Sequence, residues 1–184
     1  PNVLTQATRD NSQWQATAAG TGDFADWLVS ERLMTPDIRR SFEAPVRIEV
    51  LAEGAAALPD EVAALVAGND AAAGWLRESV MYSGDTLLVH ARCYAPERTL
   101  AAHPWLMDLG ANPLGGQLAQ RNDVARVAQH YSRSDTLTAG DARVGAGGWS
   151  RRSLFDIGGA PIVLFEHLSA GFVGVPRQTE DDAS

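Results

Sequence analysis

Two stretches of this chain fold back on themselves in sequence: "GWLRESVMYSGDTLLVHARCY" (Gly74–Tyr94) and "WSRRSLFDIGGAPIVLFEHL" (Trp149–Leu168). In each, apolar runs of strand length flank a short turn, Gly84-Asp85 in the first and Gly158-Gly159 in the second. Such turns join antiparallel neighbours, because parallel strands need a long crossover. "PVRIEVLAEG" (Pro45–Gly54) alternates like a further strand. "DFADWLVSERLM" (Asp23–Met34), with Asp23 as N-cap, reads as a helix, "TPDIRRSF" starts another helical turn, and "LPDEVAALVAG" (Leu58–Gly68) reads as a short helix. Ala95–Gln120 mixes short helices and turns; Asp123–Arg133 fits helix or strand; Ser134–Gly148 reads as a loop. The helices follow no βαβ order. The expected fold is therefore α+β, an antiparallel sheet with helices packed on one side, in a single domain over residues 1–184. Residues 1–22 and 175–184 are polar and expected as loosely ordered arms. Pro161 inside a strand pattern calls for an edge position or a bulge.

Composition narrows the chemistry. No apolar run reaches the roughly 18 residues of a membrane span, and the N-terminus lacks the basic-then-apolar pattern of a signal peptide. Pro1 fits removal of an initiator Met. The formal net charge of −8 argues against nucleic acid or an anionic membrane as partner. All 15 basic residues are arginine. That excludes Schiff-base chemistry and a P-loop lysine, and leaves a cation suited to bidentate grip on carboxylate or phosphate. The single cysteine, Cys93, allows no internal disulfide, fits a reducing cytoplasmic setting, and reads as a small core residue. The four histidines (His90, His103, His130, His167) show no metal-binding spacing, so no metal is assigned. "GAGG" at Gly145–Gly148 precedes no helix pattern, and no Gly-x-Ser-x-Gly elbow is present.

The hairpins then fix which side chains share a face. A two- or four-residue loop at Gly84-Asp85 sets Arg77 opposite Arg92, on a face with Trp75, Ser79, Met81, Leu88, His90 and Tyr94. Like charges directly opposed in a sheet repel, so an anion between them is one reading. The other is that the arginine stems cover apolar surface, with Glu78 and other carboxylates as partners. A three-residue loop would break the direct pairing. In the second hairpin, Glu166 faces Arg151 on the face of Phe155, Ile157, Ile162 and Leu164. A carboxylate there is either half of a structural ion pair or a functional group with a shifted pKa.

"WLRE" (Trp75–Glu78), the arginine of "HARCYAP", "LGANPLG" (Leu109–Gly115) and "WSRRS…GGAPIVLFE" (Trp149–Glu166) occur in an order and spacing that resembles the chorismate lyase family of ubiquinone biosynthesis. "SERLMT" (Ser30–Thr35) matches too, and the resemblance covers roughly residues 23–170. It implies conversion of chorismate to 4-hydroxybenzoate and pyruvate without metal or cofactor, in an enclosed pocket under helical flaps. It also implies Arg77 and Glu166 as catalytic residues, Arg77 on the ring carboxylate and Glu166 at the 4-hydroxyl. Met34 and Leu114 would complete the substrate pocket through backbone groups, and Arg92 would take the enolpyruvyl carboxylate. The stretch before Trp149 is about ten residues longer than the family pattern, and "AALVAGNDAAAG" is unusually rich in alanine. A monomer with chorismate and 4-hydroxybenzoate as its only partners is expected. A different class is a non-catalytic aromatic-acid sensor or carrier of the same fold; sensors of this kind carry a DNA-binding domain, whereas about 22 residues precede the first helix here.

Overall fold

A computed structural model describes residues 14–30, 34–66, 73–134 and 147–179. Six strands form one antiparallel sheet: β1 (Val46–Ala57), β2 (Ala73–Ser83), β3 (Thr86–Pro96), β4 (Val124–Ser134), β5 (Gly148–Ile157) and β6 (Ala160–Leu168). Their spatial order is β1-β2-β3-β6-β5-β4. Both tight hairpins are therefore present, and they meet along β3 and β6. Gly158 and Gly159 have φ of 56° and 93°, the positive values a two-residue hairpin turn needs at both positions.

The ambiguous stretch after Asp123 is strand β4, paired with β5. The sheet supplies what its own pattern did not, since β-propensity follows cross-strand packing. The expected helix over Asp23–Met34 is broken: a 3-10 turn (Gly22–Phe24), with Thr21 rather than Asp23 at the N-cap position, leads into α1 (Ala25–Leu28), and α2 is Met34–Ser41. The other helices are α3 (Asp60–Leu65), α4 (Glu97–Ala102) and α5 (Leu114–Ala119).

Helices on one side only is corrected by α3. Leu58, Val62 and Val66 pack with Leu76, Tyr94 and Val163, on the face opposite to Arg77. The other face carries two apolar clusters. Trp75, Ala95, Phe155 and Ile162 pack with Leu106, Leu114 and Leu118 at one end; Val89 and Leu168 pack with Trp27, Leu28, Met34 and Phe172 at the other. Pro161 lies in an interior strand, but beyond the last β3 pairing, Tyr94 with Val163. Its missing N–H thus falls at a local edge, and its carbonyl accepts from Thr99 Oγ1 of α4 at 2.8 Å.

The described parts of the two arms are tied down rather than loose. Gln15 exchanges backbone hydrogen bonds with Tyr131 at 2.8 and 2.9 Å, and the Trp14 ring meets Phe165. Arg177 Nε donates to Asp37 of α2 at 2.8 Å, and Trp27 Nε1 donates to the carbonyl of Val175 at 3.1 Å. The expectations for residues 1–13, for the part of the alanine-rich stretch over 67–72, for the expected loop over 135–146 and for the acidic tail after 179 lie outside the described residues.

Gly74, the second residue of β2, passes close to two neighbours. A Cβ there would sit 2.4 Å from the Ala95 carbonyl oxygen and 2.7 Å from Leu58 Cδ2. Gly74→Ala should destabilise the fold by about 2 kcal/mol in urea denaturation. An unchanged midpoint would mean the two backbones are not this close.

Candidate functional site

The hairpin β2–β3 contains one residue more on β3 than a regular ladder allows. Near the turn Tyr82 pairs with Leu87, but the next pair is Met81 with Val89, so Leu88 is the inserted residue of a bulge. The bulge is held from just beyond β6: Ser169 N donates to the Leu88 carbonyl at 2.9 Å, and Ser169 Oγ donates to that of Leu87 at 2.5 Å. One extra residue inverts every side chain beyond it. Arg77 therefore pairs with Cys93, and Arg92 with Glu78. The expected opposition of Arg77 and Arg92 is corrected: they lie on opposite faces.

On the face away from Arg77, Glu78 Oε1 meets His90 Nε2 at 2.6 Å and accepts from Arg92 Nε and Nη2 at 3.1 and 3.0 Å. Burial alone would raise Glu78; the His90 hydrogen bond and the Arg92 charge outweigh it and hold the carboxyl below its ordinary value. Arg92 is 6% exposed and spends its charge there. The assignment of Arg92 to a substrate carboxylate is withdrawn on this geometry.

On the Arg77 face, two rows of side chains cross the sheet. One runs Glu53, Arg77, Cys93, Leu164, Ser153; the next runs Val50, Ser79, Ala91, Glu166, Arg151. Above their middle lies a cavity of about 620 Å³, its mouth included. Arg77, Ser79, Ala91, Cys93 and Glu166 belong to its floor; Met34, Thr35 and Ile38 of α2 and Pro113, Leu114 and Gly115 at α5 form its roof. Of the five expected site residues the fold thus brings together Met34, Arg77, Leu114 and Glu166, and leaves Arg92 outside.

Each charged group is fixed from behind. Glu166 Oε2 accepts from Arg151 Nε at 2.8 Å and Nη2 at 2.6 Å, while Oε1 has no protein partner among the described residues. Arg151 is fully buried, and its Nη1 also donates to the Leu28 carbonyl at 3.2 Å, an open carbonyl at the end of α1. Arg77 Nη1 pairs with Glu53, and Nη2 donates to the carbonyls of Gly110 at 2.7 Å and Asn112 at 3.2 Å. Arg77 Nε carries no hydrogen bond from the described residues. Burial pushes the Cys93 thiol up to about 12, with Arg77 pulling it down and Glu166 pushing it up. The floor between the two ionic groups is therefore small and uncharged.

Glu53 and Ser79 were not singled out as site residues from the sequence. The signal for Ser79 was there, in its two-residue spacing from Arg77 on one strand face. That for Glu53 was not, because it needs the β1–β2 register, which itself carries a shift between Val50 and Ala52.

The withdrawal of Arg92 is testable. Arg92→Met leaves Glu78 buried with less compensation and should cost about 3 kcal/mol of stability in chemical denaturation. A loss under about 1 kcal/mol would mean that Arg92 is not held by Glu78.

Comparison with known proteins gives the family of the chain. The family model described as chorismate lyase matches residues 8–170. A chorismate pyruvate-lyase of Cronobacter sakazakii is 32% identical, over 77% of each chain. A probable chorismate pyruvate-lyase of Bartonella bacilliformis is 34% identical over 58% of this chain, a match that spans only 55% of that relative. Among solved structures, the C-terminal domain of a histidine utilization repressor from Pseudomonas syringae pv. tomato superposes with a TM-score of 0.56 at 11% identity, covering 73% of this chain and 99% of that one. That likeness shows the fold alone. With the family model spanning most of the sequence, the chain belongs to the chorismate lyase family.

Proposed function

We propose that this protein is a chorismate pyruvate-lyase, which cleaves chorismate to 4-hydroxybenzoate and pyruvate using its own side chains. The observation that carries this reading is the placement of Arg77 and Glu166 at opposite corners of one cavity with a floor of Ala91 and Cys93. Their strands, β2 and β6, are separated only by β3, about 10 Å in all. Two extended side chains can then grip opposite ends of a six-membered ring lying on the small residues between them.

In this reading Arg77 holds the ring carboxylate, with Nε as its free donor, and Glu166 Oε1 accepts from the 4-hydroxyl. Met34 and Leu114 close over the ring through their backbone groups. The reaction breaks the C3–O bond and moves the C4 hydrogen to the enolpyruvyl methylene. The C4–H electron pair forms the new ring double bond, and pyruvate leaves as the keto acid. Such an intramolecular transfer needs the reactive ring conformer rather than a strong base. The fixed Glu166–Arg151 pair suits a group that orients the hydroxyl. The rival route is elimination with Glu166 as base.

The same cavity would also serve a non-catalytic aromatic-acid binder, and turnover separates the two. Incubation with chorismate in EDTA should yield equal amounts of 4-hydroxybenzoate and pyruvate above the uncatalysed rate; binding of 4-hydroxybenzoate without turnover would leave the binder. Arg77→Ala should lower kcat/KM by about a hundredfold or more, as loss of a buried charged grip does. Glu166→Gln should retain activity within about tenfold, because a general base contributes about a hundredfold or more. Abolished turnover in Glu166→Gln with intact product binding would make Glu166 the base. Deuterium at C4 should be recovered in the pyruvate methyl group, and complete loss to solvent would count against transfer.

A further inference from the structure

With Arg92 on the far face, the enolpyruvyl side of chorismate needs another partner. The two rows of the floor define it. Arg77 and Ser79 stand two residues apart on β2, and Leu164 and Glu166 stand two apart on β6, with Cys93 and Ala91 between them. These four side chains mark the corners of a parallelogram. Arg77 and Glu166 occupy one diagonal, so a ring held at C1 and C4 lies along it. Its two long edges then face unlike neighbours: the Ser79 hydroxyl on one, the apolar Leu164 on the other.

The enolpyruvyl group hangs from C3, beside C4, and ends in a carboxylate. Placed towards Leu164 it would push an anion against a buried aliphatic side chain. Placed towards Ser79 it meets a hydroxyl that lines the cavity and makes no hydrogen bond within the described structure. Ala91, directly across from Ser79, is too small to cover that hydroxyl. We infer that Ser79 is a specificity-determining residue that donates a hydrogen bond to the enolpyruvyl carboxylate, so that it recognises the substrate and not the aromatic product. This rests on the reading of the site as a chorismate lyase.

The product lacks the enolpyruvyl group, which gives the test its discrimination. Ser79→Ala should raise KM for chorismate about tenfold, as loss of one hydrogen bond to a charged group does. The dissociation constant of 4-hydroxybenzoate should stay within about twofold, since no bond to it is lost. The pair Ser79→Thr and Ser79→Val, alike in shape, repeats the comparison if the alanine variant folds poorly: Thr should keep a KM near that of the unmodified protein and Val should not. Equal losses for substrate and product, or no loss for either, would overturn the assignment. So would equal KM values for Thr and Val. The unmodified protein run alongside reports on the lyase reading separately, because its failure to turn chorismate over would remove that reading whatever Ser79 does.

Discussion

The bulge at Leu88 decides which charges the cavity contains. In a regular hairpin Arg77 and Arg92 would share a face, and Glu78 would stand on the other without Arg92 opposite. The inserted residue moves Arg92 across to Glu78 and leaves small residues, Ala91 and Cys93, beside Arg77. Both consequences are favourable. Opposite charges paired across strands stabilise a sheet where like charges would repel. A strand with small side chains on its inner face opens room for a ring. The anchoring of Leu87 and Leu88 by Ser169 ties the bulge to β6, the strand that carries Glu166. The same contact that sets the register therefore links the two ends of the site.

This negatively charged protein spends its arginines unequally around the cavity. Arg92, Arg151 and Arg152 are all buried, and each is answered by a glutamate: Glu78, Glu166 and Glu61. Such pairs contribute little net stability, because desolvation offsets the attraction, but they fix side chains in place. Arg77 is also paired, with Glu53, yet only one edge of its guanidinium is taken by a carboxylate and Nε is left over. Carbonyls of the loop before α5 hold the other end. The planar fork thus keeps a donor for a ligand while its orientation is already set, so a carboxylate need not order the side chain on binding.

The hairpins, their turns and the Arg151–Glu166 pairing were legible in the sequence, because a two-residue glycine turn fixes register and alternation does the rest. The face of Arg92 was not. Leu88 sits in "TLLVHARCY", apolar on both parities, with no glycine to mark a bulge. One clue existed: the regular register set two arginines against each other, and a shift by one residue replaced that with Glu78 and Arg92. Helix α3 on the second face was hidden for a different reason. A six-residue helix has too little pattern to say which side of a sheet it covers. The break in the expected helix at Leu28 belongs to tertiary structure as well, since the carbonyl freed there is taken up by Arg151 and Gln129 from the sheet.

The arrangement also bears on which route the chemistry takes. Charge on the floor is confined to two corners, Arg77 and Glu166, and burial keeps the Cys93 thiol between them protonated at neutral pH. If the ring lies as proposed, no described side chain of the floor beneath its C3–C4 edge is a strong base or acid except Glu166, and one of its oxygens is taken by Arg151. A route that builds up full charge at C4 would have to be stabilised by groups that this floor does not place there. A route that passes hydrogen directly from C4 to the methylene builds little charge and depends on holding the substituents together. For that, under the proposed reading, two fixed grips on the ring, a hydroxyl beside the side chain and an apolar roof would be sufficient.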